Sequence, residues 1–548
     1  MLDEAQLNRI QDPEAKKVVL QLANLLEQAL TDNDLLRAEI QRLRDEINRS
    51  KGEQGKPDIK PNKPLPKKPS DHSSEQARKT PETWKKGTKN DKIVIDRIEP
   101  LTLDRDTLPE DAQFKGFERV ITQNLLFKTD NVAFDRAKYY SPSTGKTYLA
   151  PLPVGYEGGF GPDLKALILG LHHLGNVSEP ALHTFLTHAG IQISTGSISN
   201  FLIEGQESFH QEKREIGLAG LASSPWQQTD DTATRVDGVN QHAHVLCNPL
   251  YTTYTTLPRK DRLSVLSVLQ NGEPLRFLLT PEVLASDAVS KLPKKWQLQL
   301  STWPQETLFD ETTLRTKLAV EMPTLSEQHQ KGLLEAMALA AYQAQSDLPV
   351  VQMLVCDDAP QFVGLTAGLG LCWVHDARHY HKLVPHLPLL GEKLEAFLTA
   401  YWKYYKRLLK YRECPTEEAR LALWADFDTL FVAETGYGQL DYRIEQTAAN
   451  KEKLLAVLSH PEIPLHNNAA ELAARRRVRK RDVSFGPRSA LGVLAWDTFQ
   501  SLAATAQKLG VSFLAYLADR ISGRNALPSL ASLIGEREGE LALGGSWA

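Results

Sequence analysis

Residues 350–362 read VVQMLVCDDAPQF. The mostly apolar run Val351 to Cys356 ends in Asp357 and Asp358, the pattern of a buried central strand with carboxylates at its carboxyl end. Ligand sites gather at such strand ends in α/β sheets, although an acidic turn after a strand is also common. Upstream, WQQTDDTATRVDG (226–238), HAHVLCNP (242–249) and YTTYTTLP (251–258) are rich in Thr, Val and Tyr and separated by turn residues. They predict three strands, with a helix near Asp261 to Leu269. Asp230 and Asp231 fall inside the first strand, where an unpaired carboxylate is costly to bury.

Downstream, residues 464–486 read PLHNNAAELAARRRVRKRDVSFG. Glu471 stands early in an expected helix, and Arg475 and Arg479 follow one and two turns later on its face. Every residue from Arg475 to Arg481 except Val478 is basic. Two readings of this stretch are open. Asn468 and Glu471 have N-cap and N3 spacing, so the glutamate caps its own helix and the arginines are a solvated face. Alternatively, Glu471 is a metal-binding acid beside a phosphate backbone. Three acids on two strands and a helix favour the second. Hard Mg²⁺ or Mn²⁺ takes carboxylate oxygens, and a two-metal phosphoryl-transfer centre needs no covalent nucleophile.

The chain has 548 residues, 41% hydrophobic, with a net charge of −4. That length suggests about three or four domains. The small net charge alone points to no nucleic-acid partner, so the local basic runs carry that argument. Four scattered cysteines, Cys247, Cys356, Cys372 and Cys414, make no disulfide framework and suggest a reducing cytoplasm. No signal peptide opens the chain and no apolar run would span a bilayer, so no membrane partner is expected.

Eight regions are expected along the chain. In 1–48, Leu22, Leu26, Ala29, Asn33, Leu36, Ile40, Leu43 and Ile47 form a heptad seam. It is read as a homo-oligomeric coiled coil or as an amphipathic helix packed on the body. Residues 49–92 hold 13 Lys or Arg against 6 Asp or Glu, with six prolines, and read as a basic disordered linker. Residues 93–155 are expected as a small β-rich module with a turn at Ser141 to Gly145. In 156–215, three short helices resemble a helix-turn-helix offering Ser197, Ser199 and Asn200 to DNA, or form a structural unit. The catalytic core is read as 216–378 and 464–520, interrupted by a helical insertion at 379–463. Residues 521–548 are a tail.

The runs TDDTATRVDG, CDDAPQF, CWVHDARHY and LHNNAAELAARRRVRKRDVSFG occur in that order. Together they resemble the transposases of the bacterial insertion sequence sixty-six family, a branch of the DDE transposases. The resemblance implies an α/β, ribonuclease-H-like core of mixed sheet and helices, interrupted by the helical insertion. It implies catalytic, metal-ligating roles for Asp230, Asp357 and Glu471, with Mg²⁺ or Mn²⁺ as cofactor. It also implies cleavage at element ends and strand transfer into target DNA. The DNA contacts expected are Asn467, Asn468, Arg475, Arg479, Arg481, Ser197 and Asn200, with Asp231, His375 and Arg378 nearby.

Partners implied are double-stranded DNA, a second copy of the chain and small accessory transposition proteins, in the bacterial cytoplasm at the nucleoid. Family members commonly carry Cys-x-x-Cys where this chain has Ser141 and Thr144, and Asp231 replaces a usual glutamate. Cys372-Trp373-Val374-His375 lacks a second pair at zinc-ligand spacing, so a packed strand with a satisfied histidine is expected there. A non-catalytic helix-turn-helix regulator and a structure-specific nuclease are the alternative functions.

Overall fold

The computed structural model describes residues 4–51, 93–101, 103, 117–125 and 128–547, so the expected linker lies almost wholly outside the described residues. At its centre is a five-stranded mixed sheet. Strands β1 (Trp226–Val236), β2 (Val239–Cys247) and β3 (Thr252–Leu257) form an antiparallel meander. Strands β4 (Met353–Cys356) and β5 (Gly368–Leu371) run parallel on the other side of β1, giving the order β3-β2-β1-β4-β5. The β1–β2 hairpin closes at Asp237-Gly238, both at positive φ, the Asp-Gly signature of a tight primed turn. All four residues of β4 are buried, as an apolar strand between two parallel neighbours requires.

Helix α1 (Pro13–Ser50) is one continuous element. Before the sheet come α2 (Pro162–His173), α3 (Glu179–His188), α4 (Thr195–Ile203) and α5 (Glu207–Ala222). The three short helices form as expected, and the helical region continues past residue 215 to Ala222. Among the described residues of 93–155 only one hairpin is present, Lys138–Ser141 with Lys146–Leu149, turning at Gly145 with φ 64°. Its strands are almost wholly exposed, so the alternating pattern there had no core to pack against.

Residues 258–352, between β3 and β4, were not expected as a separate body. Their apolar side chains, including Leu266, Phe277, Trp303, Met337 and Tyr342, pack in one cluster with Leu246, Leu354 and Cys356 of the sheet. After β5 comes α6 (Trp373–His381), which crosses the expected boundary at 379. The helical insertion follows with α7 (Pro388–Glu413), α8 (Glu417–Leu430) and α9 (Gly438–Ala449). The chain then returns through α10 (Asn468–Ser484) and α11 (Ala490–Lys508). The expected tail contains a packed helix. Helix α12 (Leu530–Leu541) buries Leu530 and Ile534 completely, and Trp226 Nε1 donates to the Leu543 carbonyl at 2.7 Å.

Helix α1 is docked along part of its length. Glu27, 1% exposed, accepts from the backbone N–H groups of His386 at 2.8 Å and Leu387 at 3.1 Å. These are unpaired donors at the start of α7, so a carboxylate there satisfies them and suits the helix dipole. Asn24 bonds both Gly436 and Gly438. The heptad positions Leu22, Leu26, Leu36, Ile40, Leu43 and Ile47 remain exposed. No helix among the described residues is long and apolar enough to cross a membrane.

Glu27→Ala should destabilise the protein by about 1–2 kcal/mol, the cost of losing a helix cap, and loosen α1 from the insertion. Urea unfolding with limited proteolysis across residues 13–50 checks both. Unchanged cleavage would mean that other contacts hold α1.

Candidate active site

The start of helix α10 is tied to β1 through Asn467. Asn467 precedes the helix and is 2% exposed; its Nδ2 donates to the Thr229 carbonyl at 2.7 Å, one residue before Asp230. Its backbone N–H donates to Cys372 Sγ at 3.2 Å, and His375 N donates to the same sulfur. Gln228 Nε2 reaches the His466 carbonyl at 2.9 Å. The segment that leads into Glu471 is thus stitched to the strand of Asp230 and to the start of α6. Asn467 was expected at DNA. Its burial excludes that contact and gives it a positioning role, which local sequence could not reveal because both partners are distant in the chain.

The capping reading of Glu471 is also overturned. Asn468 is already helical, and Asn467 before it makes no side-chain cap bond. The Glu471 carboxylate turns instead to Arg378, which donates from Nη1 at 3.3 Å and Nη2 at 2.8 Å, and Arg475 lies at 3.5 Å. Cys372 caps α6 rather than lying in a packed strand, so the Cys-x-x-His run is a helix start.

Asp230 lies in β1 opposite Val245, half-buried, with one oxygen accepting from the Asp231 N–H at 2.8 Å. Burial, then the charge of Asp357, push its carboxyl up to about 7; Glu471 and Asp231 push the same way. Asp357, just past β4, is raised first by burial, with Asp231 and Glu471 adding and His375 opposing. The acids therefore share one field across β1, β4 and α10. The Asp231 carboxylate has partners of its own, since Gln361 Nε2 donates to it at 2.7 Å and Lys260 lies at 3.7 Å. Asp358 points toward the insertion, accepting from Asn450 at 3.1 Å.

The donor set is all carboxylate oxygen, which suits Mg²⁺ or Mn²⁺. Among the described residues, however, no three His, Cys, Asp or Glu side chains stand close enough to form a ready-made ligand set. The residue types fit a divalent ion, and the Arg378 guanidinium holds the third carboxylate.

The basic run divides by face. Arg475, Arg476 and Arg479 are exposed, while Arg477 is 1% exposed and Lys480 fully buried. Arg477 pairs with Asp497 and donates to Thr256 Oγ1 at 2.9 Å. Lys480 donates to the His172 carbonyl at the end of α2, and burial lowers its amine to about 7. The two are structural, contrary to a fully solvated face. Arg481, expected at DNA, spends its guanidinium on the Ala233 carbonyl at 2.6 Å. Asn468 is half-buried. In α4, Ser197 is half-buried and hydrogen-bonded to the capping Ser194, while Asn200 is exposed.

Fold and site together define a mixed α/β protein with a cluster of mutually repelling carboxylates beside an arginine-lined helix. The chain belongs to the family of an uncharacterized protein of Sinorhizobium fredii (strain NBRC 101917 / NGR234), y4jO. It is 30% identical to that protein over 318 residues, covering 58% of this chain and 98% of the relative. No family model and no solved structure matches.

A carboxyl group at about 7 in the folded protein and 3.8 unfolded keeps its proton after the unfolded chain has lost it. The folded state is therefore progressively disfavoured as pH rises from about 4 to about 7. Asp230→Asn should stabilise the metal-free protein at pH 8, by at most about 4 kcal/mol, and leave it nearly unchanged at pH 4. Thermal melts at the two pH values test this; equal effects at both would show that Asp230 is not strained by burial and its neighbours.

Proposed function

We propose that this chain is a metal-dependent DNA transposase of the DDE type, related to the insertion sequence sixty-six family. The observation that carries the reading is the placement of three acids on one scaffold. Asp230 lies in the middle of β1, Asp357 lies at the carboxyl end of adjacent β4, and Glu471 stands on a helix tied to β1 through Asn467. The strand order, with an antiparallel meander and two parallel strands beside β1, is that expected of a ribonuclease-H-like core. The insertion of helices between second and third acids agrees with the resemblance.

In this reading Asp230, Asp357 and Glu471 hold Mg²⁺ or Mn²⁺. The metal centre supplies Lewis-acid activation of a water or 3′-hydroxyl and charge stabilisation at the scissile phosphate. Arg475 and Arg479 bind the DNA backbone along the exposed face of α10, and Arg378 orients Glu471. The α2–α4 helices bind the element end, and the exposed seam of α1 pairs with a second copy of the chain. Accessory proteins would join this assembly at the nucleoid. One observation favours the non-catalytic regulator, namely the Glu471 carboxylate already occupied by Arg378. Metal-dependent nicking separates the two.

Asp230→Asn, Asp357→Asn and Glu471→Gln should each abolish nicking of end-bearing DNA while leaving binding largely intact. Cleavage by any of them would remove that residue from the centre.

Arg475→Ala and Arg479→Ala should each reduce the salt slope of DNA binding by roughly one, for all sequences alike. Arg477→Ala should instead destabilise the fold by roughly 3–5 kcal/mol, because Asp497 is left buried without its partner. Affinities at several salt concentrations beside denaturant melts distinguish the two faces. Unchanged slopes for both exposed arginines would take α10 off the DNA.

Combined Leu36→Glu, Ile40→Glu and Leu43→Glu should lower the oligomeric mass without lowering the melting temperature, since these side chains are exposed. Light scattering measures it, and an unchanged mass would place self-association elsewhere.

A further inference from the structure

Helix α10 ends at Ser484, and Phe485 adopts φ 59°, ψ 6° while its N–H donates to the Arg481 carbonyl at 2.7 Å. This left-handed closing position is normally filled by glycine, sometimes asparagine, because a Cβ is disfavoured there. The side chain is nonetheless a phenyl ring, and it is 85% exposed. Strained backbone and exposed apolar surface both oppose folding, and among the described residues no aromatic or cationic group stacks on the ring.

The backbone around it is locked. At Gly486, φ is 92°, and a Cβ would lie 2.2 Å from the Arg235 carbonyl oxygen. Asp237 N donates to the Pro487 carbonyl at 3.0 Å, and Arg481 donates to Ala233. The backbone that bears the ring is thereby fixed against the β1–β2 hairpin that carries Asp230.

Its neighbours along the chain include exposed cations. Arg479 and Arg488 flank it in sequence, and Arg235 is the residue whose carbonyl meets Gly486; of the acids Asp482 and Asp237, Asp482 is paired with Arg481 at 3.3 Å. Phe485 lies fourteen positions along from Glu471, or about 20 Å at the helical rise. A phenyl ring gains nothing from a phosphate, and paired bases inside a duplex offer it a face only at the cost of unstacking a base step. An unstacked base presents a whole face, and stacking on an aromatic ring tolerates any base.

We propose that Phe485 is a stacking platform for an unpaired nucleobase of the bound DNA, with Arg479 and Arg488 on the flanking phosphates. The inference rests on the reading that DNA is the substrate, and it assigns to this site the single-stranded or frayed part of that DNA. The strain at residue 485 is then kept for binding rather than for stability.

The test measures affinity for a forked DNA with an unpaired arm and for a blunt duplex of equal length, together with melting temperature and oligomeric mass. Phe485→Ala should weaken fork binding about fivefold or more, as loss of one stacked base does, and change blunt-duplex binding less than about twofold. Phe485→Trp should retain fork binding. Phe485→Gly should lose it while melting about a degree or more higher, since glycine relieves the backbone. Fork binding unchanged in Phe485→Ala, equal losses on both DNAs, or a lower melting temperature for Phe485→Gly would each overturn the proposal. A fall in oligomeric mass with DNA binding intact would make the ring a protein contact and overturn it too. Wild-type protein that binds neither DNA would overturn the DNA reading itself along with this one.

Discussion

The buried amide of Asn467 is the constraint on which the candidate site depends. It reaches the backbone of Thr229 beside Asp230, and its own N–H reaches Cys372, which caps α6. Three elements far apart in the chain are thereby brought into one register. Alanines 470, 473 and 474 then let α10 lie close against β2 and β3, where Tyr254 donates to the Ala473 carbonyl at 3.0 Å. A larger residue at these positions would lift the helix, and Glu471 with it, away from the sheet.

The same helix carries two kinds of cation. The buried Arg477 is compensated by Asp497, and Lys480 by the carbonyl end of α2, where a positive charge suits the helix dipole. Without such partners their burial would be prohibitive. Of the outward arginines, Arg475 lies 3.5 Å from Glu471 and Arg476 donates to Gln507 at 2.6 Å. Through Lys480 the helix of Glu471 touches the short helices that precede the sheet, so the candidate catalytic and DNA-binding regions share a physical joint.

The carboxylates oppose one another. Asp230 and Asp357 are both pushed upward by burial first, with Asp357 adding at Asp230 and Asp231 and Glu471 adding at Asp357, while Glu471 accepts from Arg378. An arrangement of buried like charges costs stability and is typical of sites where a cation or a proton must be taken up.

Sequence by itself determined much of this layout. The alternating and apolar runs around 226–258 and 351–356 specify strands, because side-chain period and β-branched content act locally. The turn residues between the strands and the helical pattern of the insertion do likewise. Tertiary structure alone decided the rest. Periodicity shows that Arg475 and Arg477 face differently but not which face meets the sheet, so the burial of Arg477 and Lys480 was invisible. Asn467 and Asn468 are adjacent and chemically identical; only the carbonyl of Thr229, more than two hundred residues away, assigns one to the interior. Packing at the two ends of the chain was decided the same way. Leu530, Ile534 and Leu543 are buried in the main core with Trp226, whereas among the described residues the strands near Tyr139 stay exposed, and burial rather than propensity sets which segment packs.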